Sequence, residues 1–187
     1  SADFAIIGTL TVTRPTLAPV LTWKVFTGEI VNPTEKITWN TAGAITQVKL
    51  FYRINGGVPS GWVPMTGDLP NTGEYDWPVA DAITENAEIK VQDVGDPNTI
   101  ATSPSFKIRG DLQITAPVGG EKWGVGDNTK FITWKRNGSG ALFGSVSLSY
   151  TKNGINPLQV DNLASVANTG SYQWVIPNDR NNAIRVK

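Results

Sequence analysis

The sequence predicts an all-β chain built from two tandem sandwiches. Three observations carry this. Segments recur in the same order about a hundred residues apart, apolar residues within them alternate with period two, and turn residues separate them at short intervals. The recurrence is plainest between NTGEYDWPVADAITENAEIKV, Asn71 to Val91, and NTGSYQWVIPNDRNNAIRV, Asn168 to Val186.

Taken in chain order, Leu10-Thr-Val12 pairs with Leu112-Gln-Ile114, Trp23 with Trp123, and Ile37-Thr-Trp39 with Ile132-Thr-Trp134. Val48-Lys-Leu-Phe-Tyr52 then pairs with Val146-Ser-Leu-Ser-Tyr150. In the first of these Val48, Leu50 and Tyr52 point one way, in the second Val146, Leu148 and Tyr150, so each is a strand with one buried face. Asn55-Gly56 and Asn153-Gly154 follow at the same offset, and Asn-Gly favours the positive φ of a tight hairpin turn. After the Asn-Thr-Gly loops, Tyr75, Trp77 and Val79 share a face, as do Tyr172, Trp174 and Ile176. EIKV and IRV continue the alternation, and no segment shows a helical stripe with caps. About seven short strands in each hundred residues predict an immunoglobulin-like or fibronectin-III-like sandwich. The chain has no Cys, so the Trp of each ITW is expected to fill the space between the sheets where a disulfide would otherwise sit.

The repeat is offset at the two ends. Ser103, Phe106, Ile108, Gly110 and Leu112 match Ser1, Phe4, Ile6, Gly8 and Leu10, so the leading residues copy a last strand without a domain before it. At the other end Val186 matches Val91, and the counterpart of Phe106 would fall beyond Lys187. The expected organisation is therefore residues 1–8 as the last strand of a preceding or neighbouring domain, 9–109 as a first domain, and 110–187 as a second lacking its last strand. Such an open slot is a template for strand addition. Three explanations stand: a window of a longer repetitive chain, donation of Phe4, Ile6 and Ile7 to the next subunit, or an artefact of where the sequence was cut. The chain starts at Ser1 rather than Met and reads as a processed product or an excerpt. Between the last strand of one unit and the first of the next only Arg109-Gly-Asp111 intervenes, which favours a stiff joint over a tether.

Composition narrows the function. Sixteen basic and sixteen acidic residues balance, which gives no basic face for nucleic acid. There is no His and no Cys, which removes the usual nucleophile–base pairs and thiolate metal sites. Seven Trp and a 40% hydrophobic content are too apolar for a disordered chain, and no stretch is long enough for a membrane span. The expectation is a non-enzyme with no cofactor.

The stretch APVGGEKWGVGDNTKFITWK, Ala116 to Lys135, resembles the Pro-x-Gly-Gly-Glu-x-Trp signature of bacterial Ig-like repeats in large secreted and surface proteins. It is also similar to the Ig-like module of a group of fungal cell-wall proteins. The likeness extends over NTGSYQW and the end of the first unit, whereas RPTLAPVLTWKVFTGE lacks the Gly-Gly-Glu. It implies an extracellular or cell-surface spacer, stalk, adhesive module or filament subunit, with copies of itself or adjacent repeats as partners. Surface glycans are a second partner class, and an accessory module of a secreted enzyme a third reading.

Individual residues add candidates. Trp62 lacks a counterpart in the second unit, so it is a candidate sugar-stacking or contact aromatic. Asp93 and Asp96, in DVGDPN, are weak calcium candidates whose ordinary reading is a turn. Glu74, Asp76 and Glu85 sit where a solvated surface is expected. Arg109-Gly-Asp111 spells an integrin-binding tripeptide, and Asn137-Gly-Ser139 is a glycosylation sequon.

Overall fold

The computed structural model describes residues 6–54, 61–152 and 160–187, with the backbone alone for 160–163. Phe4 and the expected hairpin turns at Asn55-Gly56 and Asn153-Gly154 lie outside the described residues. Among those described the chain is all-β, with a single 3-10 turn at Ala141–Phe143 and no α-helix, so no helix is long and apolar enough to cross a membrane. Contacts divide it into two compact units: Ser1–Thr27 with Val31–Arg109, and Gly28–Ile30 with Gly110–Lys187.

The first unit holds ten strands: β1 Thr9–Arg14, β2 Thr22–Lys24, β3 Glu35–Ala42, β4 Gln47–Ile54, β5 Val63–Pro64, β6 Leu69–Pro70, β7 Glu74–Trp77, β8 Thr84–Asp93, β9 Ile100–Thr102 and β10 Phe106–Arg109. One sheet runs β1-β3-β7. The other runs β2-β10-β8-β4-β5, with β6 also on β4 and β9 also on β8. Every pairing is antiparallel except β10 beside β2. Alternation does the folding here. Val48 and Leu50 of β4, and Ala87, Ile89 and Val91 of β8, are fully buried, while Lys49, Glu88 and Lys90 between them are not. They meet Leu10, Ile37, Trp39 and Trp77 of the facing sheet in one core. The arrangement is a two-layer sandwich.

The second unit has β11 Asp111–Ala116, β12 Lys130–Asn137, β13 Ser145–Thr151, β14 Val160–Ala167, β15 Ser171–Trp174 and β16 Arg185–Val186. Its sheets are β11-β12-β15 and β14-β13-β16. Ile132, Trp134, Leu148, Tyr150, Trp174 and Ile176 form its core, which are the positions the alternation assigns inward. One difference lies on the outer side of β4 and β13. In the first unit β4 meets two short pieces that each end at a proline, Pro64 and Pro70, which cannot donate to a ladder. In the second, β14 follows β13 along its whole length.

The Asn-Thr-Gly stretch has a specific task. The indole N–H of buried Trp39 donates to Asn71 Oδ1 at 2.7 Å, and Asn71 Nδ2 donates in turn to the Ile45 carbonyl at 2.9 Å. In the second unit Trp134 donates to Asn168 Oδ1 at 2.7 Å, and Asn168 Nδ2 donates to the Phe143 carbonyl at 3.0 Å. Two residues on, Gly73 and Gly170 hold φ of 82° and 95°, and their carbonyls accept from Trp39 N and Trp134 N at 3.0 and 2.9 Å. Only glycine takes that backbone conformation readily. The loop thereby closes both polar ends of a core tryptophan, which explains why the same words recur. Thr13 with Thr38, and Thr115 with Thr133, repeat a second pairing at 2.7 and 2.8 Å. Gly8 and Gly110 repeat a third feature, since a Cβ there would strike the side chains of Ile45 and Phe143 respectively.

Removing either amide strands a buried indole donor. Asn71→Ala and Asn168→Ala are each expected to destabilise their own unit by about 1–3 kcal/mol, measured by denaturant unfolding. Unchanged midpoints in both variants would show that the amide contributes nothing.

Candidate functional site

In the first unit β10 lies between β2 and β8. Its Phe106 and Ile108 are fully buried. The Phe106 ring sits 4.5 Å from that of Trp23 and 6.4 Å from that of Trp77. Trp23, Trp77 and Tyr52 form a chain of rings, with Trp23 to Trp77 at 5.8 Å and Tyr52 to Trp77 at 5.5 Å. β10 also fills the backbone ladder: Lys107 N donates to the Leu21 carbonyl and Val25 N to the Arg109 carbonyl, both at 2.9 Å. Outside, Glu85 pairs with Lys107 at 3.1 Å and with Arg109. The Lys107 and Arg109 cations hold the Glu85 carboxyl below its ordinary value.

The second unit has the same ring chain without its cover. Trp123 to Trp174 is 5.9 Å and Tyr150 to Trp174 is 5.3 Å, matching the first unit ring for ring. Among the described residues β16 pairs only with β13, and no strand lies where β10 lies in the first unit. The consequence is visible position by position. Trp23 is 1% exposed and its counterpart Trp123 is half-buried. Val25 is fully buried, whereas Val125 is 51% exposed; Ala87 is fully buried, whereas Ile184 at its place is 37% exposed. On the facing sheet, where β9 packs beside β1 in the first unit, Leu10 is 8% exposed and Leu112 is 45%. The apolar side chains that β10 covers in the first unit thus have partly exposed counterparts among the described residues of the second. Sequence reasoning did not single out these side chains. The signal for them was their alignment with residues destined for the interior.

Phe4 lies outside the described residues. Ile6 and Ile7 belong to no strand and are 91% and 64% exposed.

The other candidates have plainer surroundings. Trp62 is half-buried beside β5, with the Arg53 guanidinium 4.5 Å from its ring centroid and Lys90 Nζ at 5.2 Å. Lys90 is also 4.0 Å from the Phe51 ring, and Arg53 is ion-paired to Glu88 at 2.5 Å. Burial lowers the Lys90 pKa. The ring face is thus already engaged by cations. Asp93 and Asp96 serve their own loop. Asp93 accepts from Gly95 N at 2.9 Å, and Asp96 accepts from Thr99 Oγ1 at 2.8 Å and Asn98 N at 3.1 Å. No cluster of three potential metal-ligating side chains occurs among the described residues. Glu74 and Asp76 both pair with Lys36, at 3.1 and 3.3 Å. Arg109 of the Arg-Gly-Asp tripeptide ends β10 on Glu85, and Asp111 begins β11. Asn137 of the sequon is fully buried; its Oδ1 accepts from Ile30 N at 2.8 Å and its Nδ2 donates to the Ile30 carbonyl at 2.6 Å. Attaching a glycan there would require this fully buried amide to leave its place.

The Gly-Gly-Glu signature is a loop lock. Glu121 turns back to accept from Val118 N and Gly119 N, both at 2.7 Å. These hydrogen bonds hold its carboxyl below the ordinary range, Val118 N first. Asp96, Asp127 and Asp179 are lowered in the same sense, chiefly by Thr99, Thr129 and the Tyr150 hydroxyl respectively.

Comparison with protein-family models and with curated proteins gives no match for the chain. The functional reading therefore rests on its own residues.

Two outcomes follow for stability. Carboxylates lowered in the folded state contribute stability that is complete above their unfolded values, about pH 4–4.5. That contribution is lost as pH falls through the folded values. Melting temperature should be flat on acidification down to about pH 5 and then drop; a rise below that point would contradict the assignment. Phe106→Ala should cost the first unit about 3–5 kcal/mol by removing the cover of Trp23. Red-shifted Trp emission should accompany the loss, and unfolding at the wild-type midpoint would show that β10 is not integral to the core.

Proposed function

We propose that this chain is a structural, non-catalytic segment of an extracellular surface protein, in which Ig-like units repeat head to tail to form a stalk or filament. The observation that carries the reading is repetition of the load-supporting details themselves. The indole–Asn clamp, the Thr pair, the ring chain and the close-approach glycine all occur twice, in the same order, in one chain. Gly110 alone separates β10 from β11, so the joint is not a long tether. Repeat proteins gain length and surface by stacking such units, without a catalytic constellation.

The adhesin reading has one observation in its favour, the part-exposed Trp62. Against it stand Arg53 and Lys90, which occupy the ring that a sugar would need. Extracellular placement is supported by the likeness of GGEKW and ITW to secreted repeats.

The test is immunogold electron microscopy of intact source cells with antibody raised against the chain. Label on fibres or stalks outside the envelope is the expected result. Label confined to the cell interior would overturn the proposal. Glycan-array binding by the purified chain that disappears in Trp62→Ala would replace it with the adhesin reading.

A further inference from the structure

We infer that the first unit associates side by side with a second copy of this chain, the Glu74–Asp76 pair of one copy docking on the Lys90 patch of the other. This lateral contact is separate from the head-to-tail order of units within one chain.

The two patches lie on the outward faces of the two sheets. In β4 the buried Val48 and Leu50 alternate with Lys49, Phe51 and Arg53, and register sets Phe51 across from Lys90 and Arg53 across from Glu88 of β8. Two carboxylates serve these cations: Asp68 pairs with Lys49 at 2.8 Å and Glu88 with Arg53 at 2.5 Å. Among the described residues Lys90 has no carboxylate partner. Its ammonium lies over rings instead, 4.0 Å from that of Phe51 and 5.2 Å from that of Trp62. Three cations meet two carboxylates, which leaves one positive charge. Burial disfavours that charge and lowers the Lys90 pKa, because no counter-ion offsets the lost water.

The other face has the reverse surplus. Register sets Lys36 of β3 across from Asp76 of β7, and Thr38 across from Glu74. Lys36 holds both carboxylates, at 3.1 and 3.3 Å, and they raise its pKa, the Glu74 hydrogen bond first. One cation meets two carboxylates, whose side chains are 58% and 61% exposed. Thr11, Thr38 and Asn40 beside them carry no charge. Brought together across two copies, four cations meet four carboxylates and the contact closes neutral.

The second unit separates these charges from the demands of the fold. With the same inward pattern it has Phe131, Ser171 and Gln173 at the places of Lys36, Glu74 and Asp76, so it has no acidic pair to give. It does present cations, since Arg185 and Lys187 stand at the places of Glu88 and Lys90. Both are exposed, and Lys187 lies across from Ser149 rather than a ring. A carboxylate gains little at such a solvated cation, whereas at Lys90 the rings exclude part of the water and strengthen the attraction. Giver and receiver use different surfaces, so copies add in an open lateral series unless the rotation closes a ring.

The experiment uses the full chain. Sedimentation of residues 1–187 over a range of concentrations at low ionic strength should show progressive association that added salt reverses. Lys90→Glu, and separately Glu74→Lys with Asp76→Lys, should each lower the association constant about tenfold or more while circular dichroism is unchanged. Mixed in equal amounts, the two variants should associate again, because each keeps the face that the other has lost. Arg185→Glu with Lys187→Glu should leave association as in the wild type. A monomer at every concentration overturns the inference, as does association that survives Lys90→Glu or ignores salt. Failure of the mixture to associate also overturns it, by showing that the two faces do not meet. Loss of association in the Arg185 and Lys187 variant overturns it by making the second unit the receiver. None of these outcomes decides where the protein is found, so the surface-stalk reading stands or fails apart from them.

Discussion

The stacking of Phe106 on Trp23 is the contact on which the architecture turns. It joins three strands at once. β10 must enter between β2 and β8 for the ring to arrive, and once there it completes both backbone ladders. Full burial of Phe106 and Ile108 is worth about 1.5–3 kcal/mol for each side chain. The same insertion takes Val25 and Ile89 out of solvent. Where the counterpart strand is not among the described residues, in the second unit, Val125 and Ile184 are exposed and the Glu121–Gly124 stretch is not organised as a strand.

A second layer of polar interactions makes each core specific. Aromatic rings supply bulk between the sheets, but a buried indole carries a donor that must be satisfied. The Asn-Thr-Gly loop supplies the acceptor in each unit. Ion pairs add little by comparison, because those of Lys36, Lys49 and Lys107 lie on solvated surface, where water screens them.

Much of this was legible in sequence wherever the signal is local. The period-two pattern in Val48, Leu50 and Tyr52 assigns their face. What was not legible depends on partners distant in the chain. Asn71 reads as a turn residue, yet its role is set by Trp39 thirty-two positions away. Trp62 reads as an open aromatic until cross-strand register brings Arg53 and Lys90 onto it. Asn137 reads as a surface sequon, but the backbone of Ile30 takes both ends of its amide.

The most direct measurement is residue-resolved amide hydrogen exchange on dilute chain, comparing β8 with the stretch from Ile184 to Val186. In the first unit Ile89 N is held by Ser103 Oγ at 2.9 Å and its carbonyl accepts from Ser103 N at 2.8 Å. Slow exchange at Ile89 and fast exchange at Val186, which pairs with Tyr150 as Ile89 pairs with Tyr52, is the result the account requires. Equal, strong protection at both would mean that the second unit closes its own edge, and the asymmetry between the two cores would be wrong.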